Sequence, residues 1–474
     1  MPKISRRCFL QTSSCWAWGA LASGVWVKET AAAAQPVDRT QVEPGERLPR
    51  DERVHPELPR LRIPLSFIID DSTCLVNLAH FAIPQFAQVF PDRYRQNWRL
   101  LPREIPDSFV ERFMGWCREH GVKGKYSLVP YPACVGWLDR DLPGWSQQEL
   151  QASLELVRRQ VMPDWDIHPE MISHTFIIDT HTGRPFPYKT EHFMENWRWT
   201  DDKSAEQIAD YMAYALRILK NTGIMCSGIT TPGGFGNRVL PQLAQATLWA
   251  VREECGAEIP HYFRHVFTDQ RSVQPRVEYA TGLKTERPAC VVSIIGCTGD
   301  WFGGWDGMEV GHVDQFLTAD GQGGRLAEVL ARKEPAILVC HWPGIYWNGY
   351  ELGFRIFQQV VARLQMFSDD TQWMKLSDIS RYWAARELTG WQWQGTDLEL
   401  FAPFAVDQFT LRLHNTQPTE RVQLIAAGTT QQLVPTRDRR HLQSGQYWQH
   451  GDDVIVCFSL PRGASRLQGC RVTR

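Results

Sequence analysis

The sequence lacks the features that would assign it at once to a membrane or a nucleic-acid-binding class. No run of about 18 or more apolar residues occurs, so we expect no membrane span in the mature protein. Charge of one sign is not in excess either, because 51 Lys and Arg face 53 Asp and Glu, for a formal net charge of -2. Such a chain has no broad basic field for a polyphosphate backbone, and we expect no nucleic-acid partner.

The 12 cysteines form no CxxC motif and no short disulfide framework. Cys8 and Cys15 lie near the N-terminus, and the others stand mostly in apolar runs such as Val339-Cys340-His341. Most are therefore predicted to be buried small side chains, and the pairing of some in an oxidising compartment stays open. The 474 residues are 43% hydrophobic, which is enough for a large core and two or three domains.

The N-terminus resembles a twin-arginine export signal. Arg6 and Arg7 precede a moderately apolar stretch, and small residues at 31–34 form a cleavage point. Residues 1–34 are predicted to be a signal peptide recognised by the twin-arginine export machinery, and residues 35–60 an extended lead-in. The mature protein is then expected to be periplasmic or secreted, in a bacterium. Because that route moves folded chains, a tightly held metal is compatible with it.

Between residues 61 and 390, short apolar runs alternate with helical patterns. This alternation predicts repeated βα units and an α/β fold, a distorted (β/α) barrel, with an open parallel sheet as the alternative. Pairs three residues apart that begin at Ser108, Ser146 and Ser204 predict helix starts with capping boxes. From 395 to 474, alternation without helices predicts a small C-terminal β-sandwich domain. The predicted barrel strands are 64–70, 124–129, 171–179, 226–231, 290–297 and 336–341.

Polar residues stand where these predicted strands end. Asp70 and Asp71 follow the first strand, His174 lies in the third, Thr231 ends the fourth and His341 ends the last. In a barrel of βα units, the chemistry lies at the C-terminal ends of the strands. We therefore expect these side chains to converge on one mouth of the barrel.

The order of these segments resembles the polysaccharide deacetylase family (carbohydrate esterase family four), within the glycoside hydrolase/deacetylase barrel superfamily. The resemblance implies that Asp70 is the catalytic base, that Asp71 and His174 bind a divalent metal such as Zn²⁺, and that His341 protonates the leaving group. The implied activity is metal-dependent removal of acyl groups from a glycan. The segments that carry the resemblance are Phe67-Ile68-Ile69-Asp70-Asp71, Glu170-Met171-Ile172-Ser173-His174-Thr175, Thr231-Pro232-Gly233-Gly234-Phe235-Gly236, Ile337-Leu338-Val339-Cys340-His341 and the late stretch 373–379.

The chain departs from the family pattern at the third metal ligand. The family uses two histidines four residues apart, and the position four after His174 is Ile178. At about 3.3 Å per strand residue, His181 reaches the same ion only if the chain turns back after Asp179. We take His181 as the third ligand on that condition. The family's arginine near the fourth strand is also absent, and a barrel without a catalytic metal is the alternative.

Tryptophan outnumbers tyrosine, 20 to 12, and indole faces stack well on sugar rings. Trp301 and Trp305 flank a glycine-rich loop after a predicted strand, and we expect them, with Trp342 and Thr231, to contact a carbohydrate substrate. Asp300 is expected to bind sugar hydroxyls. Two alternatives stay open: a glycoside hydrolase in which Asp70 or Asp71 acts with Asp300, and an inactive barrel that only binds carbohydrate.

Overall fold

The computed structural model describes residues 45–473, so the predicted signal peptide and residues 35–44 of the lead-in lie outside the described residues. Within that range, no helix is long and apolar enough to cross a membrane. The first strands are β1 (Val54–Pro56), β2 (Ile63–Asp70), β3 (Gly124–Ser127), β4 (Trp165–His168), β5 (Ile178–Asp179), β6 (Arg184–Pro185), β7 (Gly228–Thr230), β8 (His261–Val266), β9 (Arg276–Thr281), β10 (Ala289–Gly296), β11 (Ala336–His341) and β12 (Thr371–Trp373).

Seven of these strands close into a ring. The order β11-β2-β3-β4 forms one parallel sheet, and β7-β8-β10 forms another. The two sheets meet at two seams: Thr230 N–H donates to Pro169 O at 3.1 Å, and Cys297 N–H donates to Ile337 O at 2.8 Å. The predicted α/β class is therefore confirmed, with parallel strands around a central axis.

Helices cover the outside of the ring. Capping boxes are present at Ser146 and Ser204, as predicted. The box predicted at Ser108 is wrong, because the helix begins one residue earlier, at Asp107, after the extended residue Pro106. The helices of the described range are α1 (Leu78–Val89), α2 (Asp107–Glu119), α3 (Gln147–Leu156), α4 (Ala205–Asn221), α5 (Leu240–Cys255), α6 (Val313–Phe316), α7 (Arg325–Ala331), α8 (Trp342–Tyr346), α9 (Leu352–Leu364) and α10 (Leu376–Leu388).

The side chains of strand β2 point alternately towards the helices outside the ring and towards the interior of the barrel. Phe67 stacks on Phe357 of α9 with ring centroids 4.1 Å apart, so this side chain faces the helices. Burial of one such ring stabilises the fold by about 1.5–3 kcal/mol. Because strand side chains alternate, Ile68 and Asp70 face the barrel interior instead. The last inward position of the strand therefore places a carboxylate at the mouth.

The strand predicted at 171–179 is wrong in most of its length. The barrel strand is β4, Trp165–His168, and only Ile178–Asp179 of the predicted segment is in a strand, in the small hairpin of β5 and β6. Residues 170–177 instead form an irregular loop above the end of β4.

The C-terminal segment is all β. Its strands and β1 follow one continuous hydrogen-bonded path of nine strands, in which β17 pairs antiparallel with β16 and parallel with β18. The arrangement of this path into two layers stays a prediction. The Tyr382 ring of α10 lies 6.2 Å from the Phe409 ring, so this segment shares its core with the barrel helices. The strands are β13 (Gly390–Gln394), β14 (Asp397–Ala402), β15 (Val406–Leu413), β16 (Thr416–Ala426), β17 (Thr429–Thr436), β18 (Gln446–His450), β19 (Asp453–Leu460) and β20 (Gly463–Val472).

Candidate active site

Asp70 and His341 end the neighbouring strands β2 and β11 and are register partners, so they start side by side at the mouth. Lys125 of β3 is fully buried, and its ammonium binds the Asp70 carboxylate. The same ammonium donates to Ile69 O at 3.1 Å and to Ser127 Oγ at 2.7 Å. Burial raises the pKa of Asp70 to about 6, although the charge of Lys125 acts in the opposite direction. Asp70 thus has the pKa of a base that works near neutral pH.

Three side chains beside Asp70 form the mouth cluster: Asp71, Glu170 and His174. His174 Nε2 lies 2.7 Å from Asp71 Oδ1 and 3.4 Å from Glu170 Oε1. All three residues are buried, and one donor atom from each lies within 4.8 Å of the others. The backbone N–H of Asp71 also donates to Glu170 Oε2 at 2.8 Å, which fixes the two carboxylates relative to each other.

The backbone of the mouth cluster is strained. Asp71 has φ 59° and His174 has φ 63°, and both values lie in the left-handed region that side chains with a Cβ rarely adopt. Such conformations cost on the order of 1–3 kcal/mol each and persist only where the surroundings enforce them. Their coincidence on two facing side chains is typical of a functional site.

A buried carboxylate, Glu195, holds the loop that carries His174. It accepts the backbone N–H groups of Ile172 at 3.1 Å and Ser173 at 3.0 Å, and that of His174 as well. The hydroxyl of Tyr211 in α4 donates to the same carboxylate at 2.5 Å. Burial raises the pKa of Glu195 to about 7, opposed mainly by the Tyr211 hydrogen bond. The Glu195 carboxylate thus accepts the backbone N–H groups that a neighbouring strand would otherwise bind.

The charges of the mouth cluster attract a cation. Burial works against charge on His174, but Asp71 and Glu170 together raise the pKa of the imidazole well above its usual value. Burial likewise works to raise the pKa of Glu170, yet the hydrogen bond and charge of His174 bring it down to about 2. The carboxylates of Asp71 and Glu170 therefore favour a proton on the imidazole, and a metal ion that replaced this proton would meet the same attraction.

The donor set fits a divalent metal. Two carboxylates and one imidazole are ligands that Zn²⁺ and similar cations accept. Asp71 Oδ1 is buried and makes no aligned hydrogen bond, although it lies 2.7 Å from His174 Nε2. A divalent ion that replaced the imidazole proton would have this oxygen, His174 Nε2 and the Glu170 carboxylate as ligands.

His341 is held by Asp300, which follows β10. His341 Nδ1 lies 2.8 Å from Asp300 Oδ2, and the His341 backbone N–H donates to the same oxygen at 3.2 Å. Burial disfavours the charged imidazole, but Asp71, Asp300 and Asp70 overcome it and raise the pKa of His341 to about 10. The ring is therefore protonated at neutral pH, and its Nε2–H remains available as an acid.

His181 lies elsewhere. It is exposed at the turn between β5 and β6, where its backbone N–H donates to Asp179 Oδ1 at 3.0 Å. The structure thus places Glu170, not His181, beside Asp71 and His174. The spacing of this ligand pair was visible in the sequence, because Glu170 stands four residues before His174. The prediction considered only the position four residues after His174, which is Ile178.

Two other functional residues were also missed. Lys125 lies in the predicted strand 124–129, and a lysine at an inward position of a barrel strand requires a buried anion. That requirement could have been read from the pattern. Glu195 had no such signal, since it lies 21 residues after His174 and its contacts depend on the folded loop.

The residues predicted to contact substrate are of three kinds in the structure: one fully buried tryptophan, two polar residues that are already hydrogen-bonded within the protein, and two partly exposed tryptophans. Trp342 was wrongly predicted as a sugar contact, because it is fully buried against the rings of Phe109, Phe113 and Tyr126. Asp300 is engaged by His341. Thr231 is buried and donates to a backbone oxygen at 3.2 Å. Trp301 and Trp305 are half-buried in the loop after β10 and retain exposed surface.

A cavity of about 450 Å³ lies between residues 93–94, 191–201 and 233–238. Asn196, which directly follows Glu195, and Gly233, two residues after Thr231, belong to its wall. Tyr94 and Trp197 give it an aromatic side, and their ring centroids lie 6.1 Å apart. Arg93 adds a cationic group. The cavity therefore offers aromatic rings and hydrogen-bonding groups beside segments that follow Glu195 and Thr231 in the chain.

A second group of polar side chains, the inner cluster, lies deeper in the barrel. It consists of Asp166 and His168 of β4 and His261 of β8, all buried. His168 Nε2 and His261 Nε2 are 3.0 Å apart. Burial lowers the pKa of His168 well below its usual value and that of His261 to about 4, so both rings are neutral.

No protein-family model matches the chain, and no curated protein matches it. Among solved structures, the catalytic domain of the GH30 xylanase C from Talaromyces cellulolyticus is similar at 9% identity, with a TM-score of 0.26, over 89% of this chain and 100% of that one. Two chains that superpose this poorly share too little geometry for one to inform the other. The class of protein is therefore defined by its own structure, an α/β barrel with a carboxylate–imidazole cluster at its mouth.

Proposed function

We propose that the protein is a metal-dependent hydrolase that removes acyl groups from a glycan. The observation that carries the proposal is the mouth cluster, in which donor atoms of Asp71, Glu170 and His174 lie within 4.8 Å of one another. These three residues would hold a divalent cation such as Zn²⁺. When bound, such an ion supplies a Lewis acid for the acyl oxygen and acidifies a water molecule.

The neighbouring residues supply the proton transfers. Asp70 removes the proton of the attacking water, and Lys125 holds its carboxylate in place through the buried ion pair. His341 protonates the departing oxygen or nitrogen of the sugar, because Asp300 keeps the imidazole charged and oriented. A base and an acid on adjacent strands are what acyl hydrolysis requires.

A glycan is the proposed substrate because of the surroundings of the site. Aromatic faces stack on sugar rings, and the cavity that includes Asn196 in its wall presents Tyr94 and Trp197 together with amide and guanidinium groups. Trp301 and Trp305 extend this aromatic surface in the loop after β10. The interpretation of residues 1–34 supports a periplasmic or secreted location, and Arg6→Lys with Arg7→Lys should then abolish export, as cell fractionation would show.

The direct test combines metal content with product analysis on mature protein. We expect purified protein to hold a divalent metal and to release acetate from acetylated oligosaccharides. His174→Gln should lose the metal of the mouth cluster and acetate release, because it removes the only imidazole of that cluster. His181→Gln is the matched control, since His181 is exposed and outside the cluster, and it should behave like the wild type.

Three results would overturn the proposal. If His174→Gln kept full metal content and rate, the mouth cluster would not be the metal site. New reducing ends without acetate would instead favour a glycoside hydrolase that uses Asp70 or Asp71 with Asp300. Glycan binding without turnover would favour an inactive binding barrel.

A further inference from the structure

The inner cluster has no part in the proposed hydrolysis, yet it places three metal-binding side chains together. Asp166, His168 and His261 each offer one donor atom, and these atoms lie within 4.8 Å of one another. We propose that the inner cluster is a second metal site, structural in role, that takes a borderline divalent cation such as Zn²⁺. The inference is independent of the proposed function, because the inner cluster and the mouth cluster share no residue.

The geometry of the two imidazoles suits a shared ion. Zn–N distances of about 2.0–2.1 Å in a tetrahedral site place two ligand nitrogens roughly 3.3–3.4 Å apart. His168 Nε2 and His261 Nε2 are separated by 3.0 Å, so a shift of a few tenths of an ångström admits an ion between them. Asp166 adds the anionic ligand that a dication needs in a buried place.

The groups around the ligands are also those of a metal site. The Asp166 carboxylate accepts the backbone N–H of Ser377 at 2.6 Å and its hydroxyl at 2.8 Å, which fixes its direction. His168 Nδ1 lies 3.4 Å from Thr230 Oγ1, a partner for the second ring nitrogen. Outer contacts of this kind orient metal ligands in known sites.

Gly228 provides the space for the inner cluster. A Cβ at this position would lie 2.7 Å from His168 Nε2 and 2.6 Å from the backbone oxygen of His261. Any larger residue would therefore press directly on the nitrogen that faces His261. The glycine leaves the approach to both Nε2 atoms clear of side-chain carbon.

The position of the inner cluster explains what a metal would do there. His168 belongs to the sheet β11-β2-β3-β4, and His261 belongs to the sheet β7-β8-β10. At this seam the structure has a single bridge, Glu170 to Thr230, in place of a full ladder. An ion bound by both histidines would join the two sheets from inside the barrel and stabilise the seam.

The test uses a variant in which the mouth cluster is disabled, Glu170→Gln with His174→Gln, and measures metal by elemental analysis. This protein keeps every inner ligand, and we expect it to retain roughly one zinc per chain after dialysis against a chelator. Adding His261→Gln should remove that zinc and lower the Tm. His265→Gln, four residues further along the same strand, is the matched control and should retain the zinc.

X-ray absorption on the variant with the disabled mouth cluster keeps the test decisive if His261→Gln fails to fold. We expect a zinc shell of nitrogen and oxygen with imidazole scattering. Absence of metal from that variant would overturn the proposal and leave His168 and His261 as a hydrogen-bonded pair of neutral rings. Retention of the same zinc in a folded His261→Gln protein would overturn it equally.

Discussion

At the scale of single residues, the pair of Asp70 and Lys125 combines a catalytic with a structural role. The lysine side chain is 0% exposed and the aspartate side chain 8% exposed, so the pair has little water around it. Removing one member of such a pair is costly, because it leaves the other charge buried without a counter-ion. The effects on stability and on activity can therefore be separated by substitution.

Asp70→Asn should lower kcat/KM for acyl hydrolysis by about 10²- to 10⁴-fold, the usual contribution of a general base. It should also lower the free energy of unfolding by about 3–5 kcal/mol, because Lys125 stays charged and buried. The double variant Asp70→Asn, Lys125→Met should recover most of that stability without activity. Initial rates check the loss of kcat/KM, and urea unfolding checks the loss of stability. An unchanged free energy of unfolding in Asp70→Asn would contradict the predicted cost of leaving Lys125 without its counter-ion.

His341→Gln should discriminate between leaving groups. An acid is needed to expel an alkoxide or amine, whereas an aryl oxide departs without one. The variant should therefore lose about 10²-fold or more on acetylated sugars and far less on an aryl acetate. Equal losses on both substrates, with metal content unchanged, would show that His341 does not donate this proton.

Asp300→Asn should change the pH dependence rather than abolish activity. His341 must be protonated to act, so the rate should fall as pH rises through its pKa of about 10. Removing the Asp300 anion takes away one cause of the raised pKa, and the alkaline limb of the profile should move to lower pH. If the alkaline limb of the Asp300→Asn profile stayed at the wild-type pH, a group other than His341 would control the loss of activity at high pH.

At the scale of elements, the loop 170–177 depends on one carboxylate. Glu195→Gln places an N–H₂ group where backbone N–H groups now donate, so the loop should lose its left-handed turn at His174. Metal affinity should fall by about 10–100-fold, as for other outer contacts of metal ligands. Titration of the metal-free protein measures this, with the partly exposed Glu191→Gln as control. An unchanged affinity would leave Glu195 a packing residue only.

The same loop shows where sequence reasoning reached its limit. The run Met171 to Ile178 is mostly apolar around His174, and this hydrophobic pattern predicted a strand. The local pattern does not show that a carboxylate from residue 195 takes the backbone N–H groups that a neighbouring strand would otherwise bind. By contrast, the boxes at Ser146 and Ser204 were predictable, because all the contacts of a cap lie within three residues.

At the scale of the whole molecule, the alternation of strands and helices predicted the α/β fold and the end of the helical pattern near residue 388. Parallel strands bring Asp70, Asp71 and His341 to one end whatever the details of their loops, which is why these positions could be named in advance. Glu170 could also have been predicted as a site residue from its spacing to His174, and Lys125 from its inward position on a buried strand. The seams between the two sheets could not, since they rest on single backbone hydrogen bonds.

The ten cysteines of the described range are all free, and burial raises the pKa of each thiol. In the native protein they are therefore poor nucleophiles, even under oxidising conditions. Once heat opens the chain, the same sulfurs become reactive together, and random cross-links would trap it. If the protein is exported, as proposed above, its survival outside a reducing cytoplasm would depend on how slowly the fold opens, and the rate of unfolding would set its working lifetime more than equilibrium stability does.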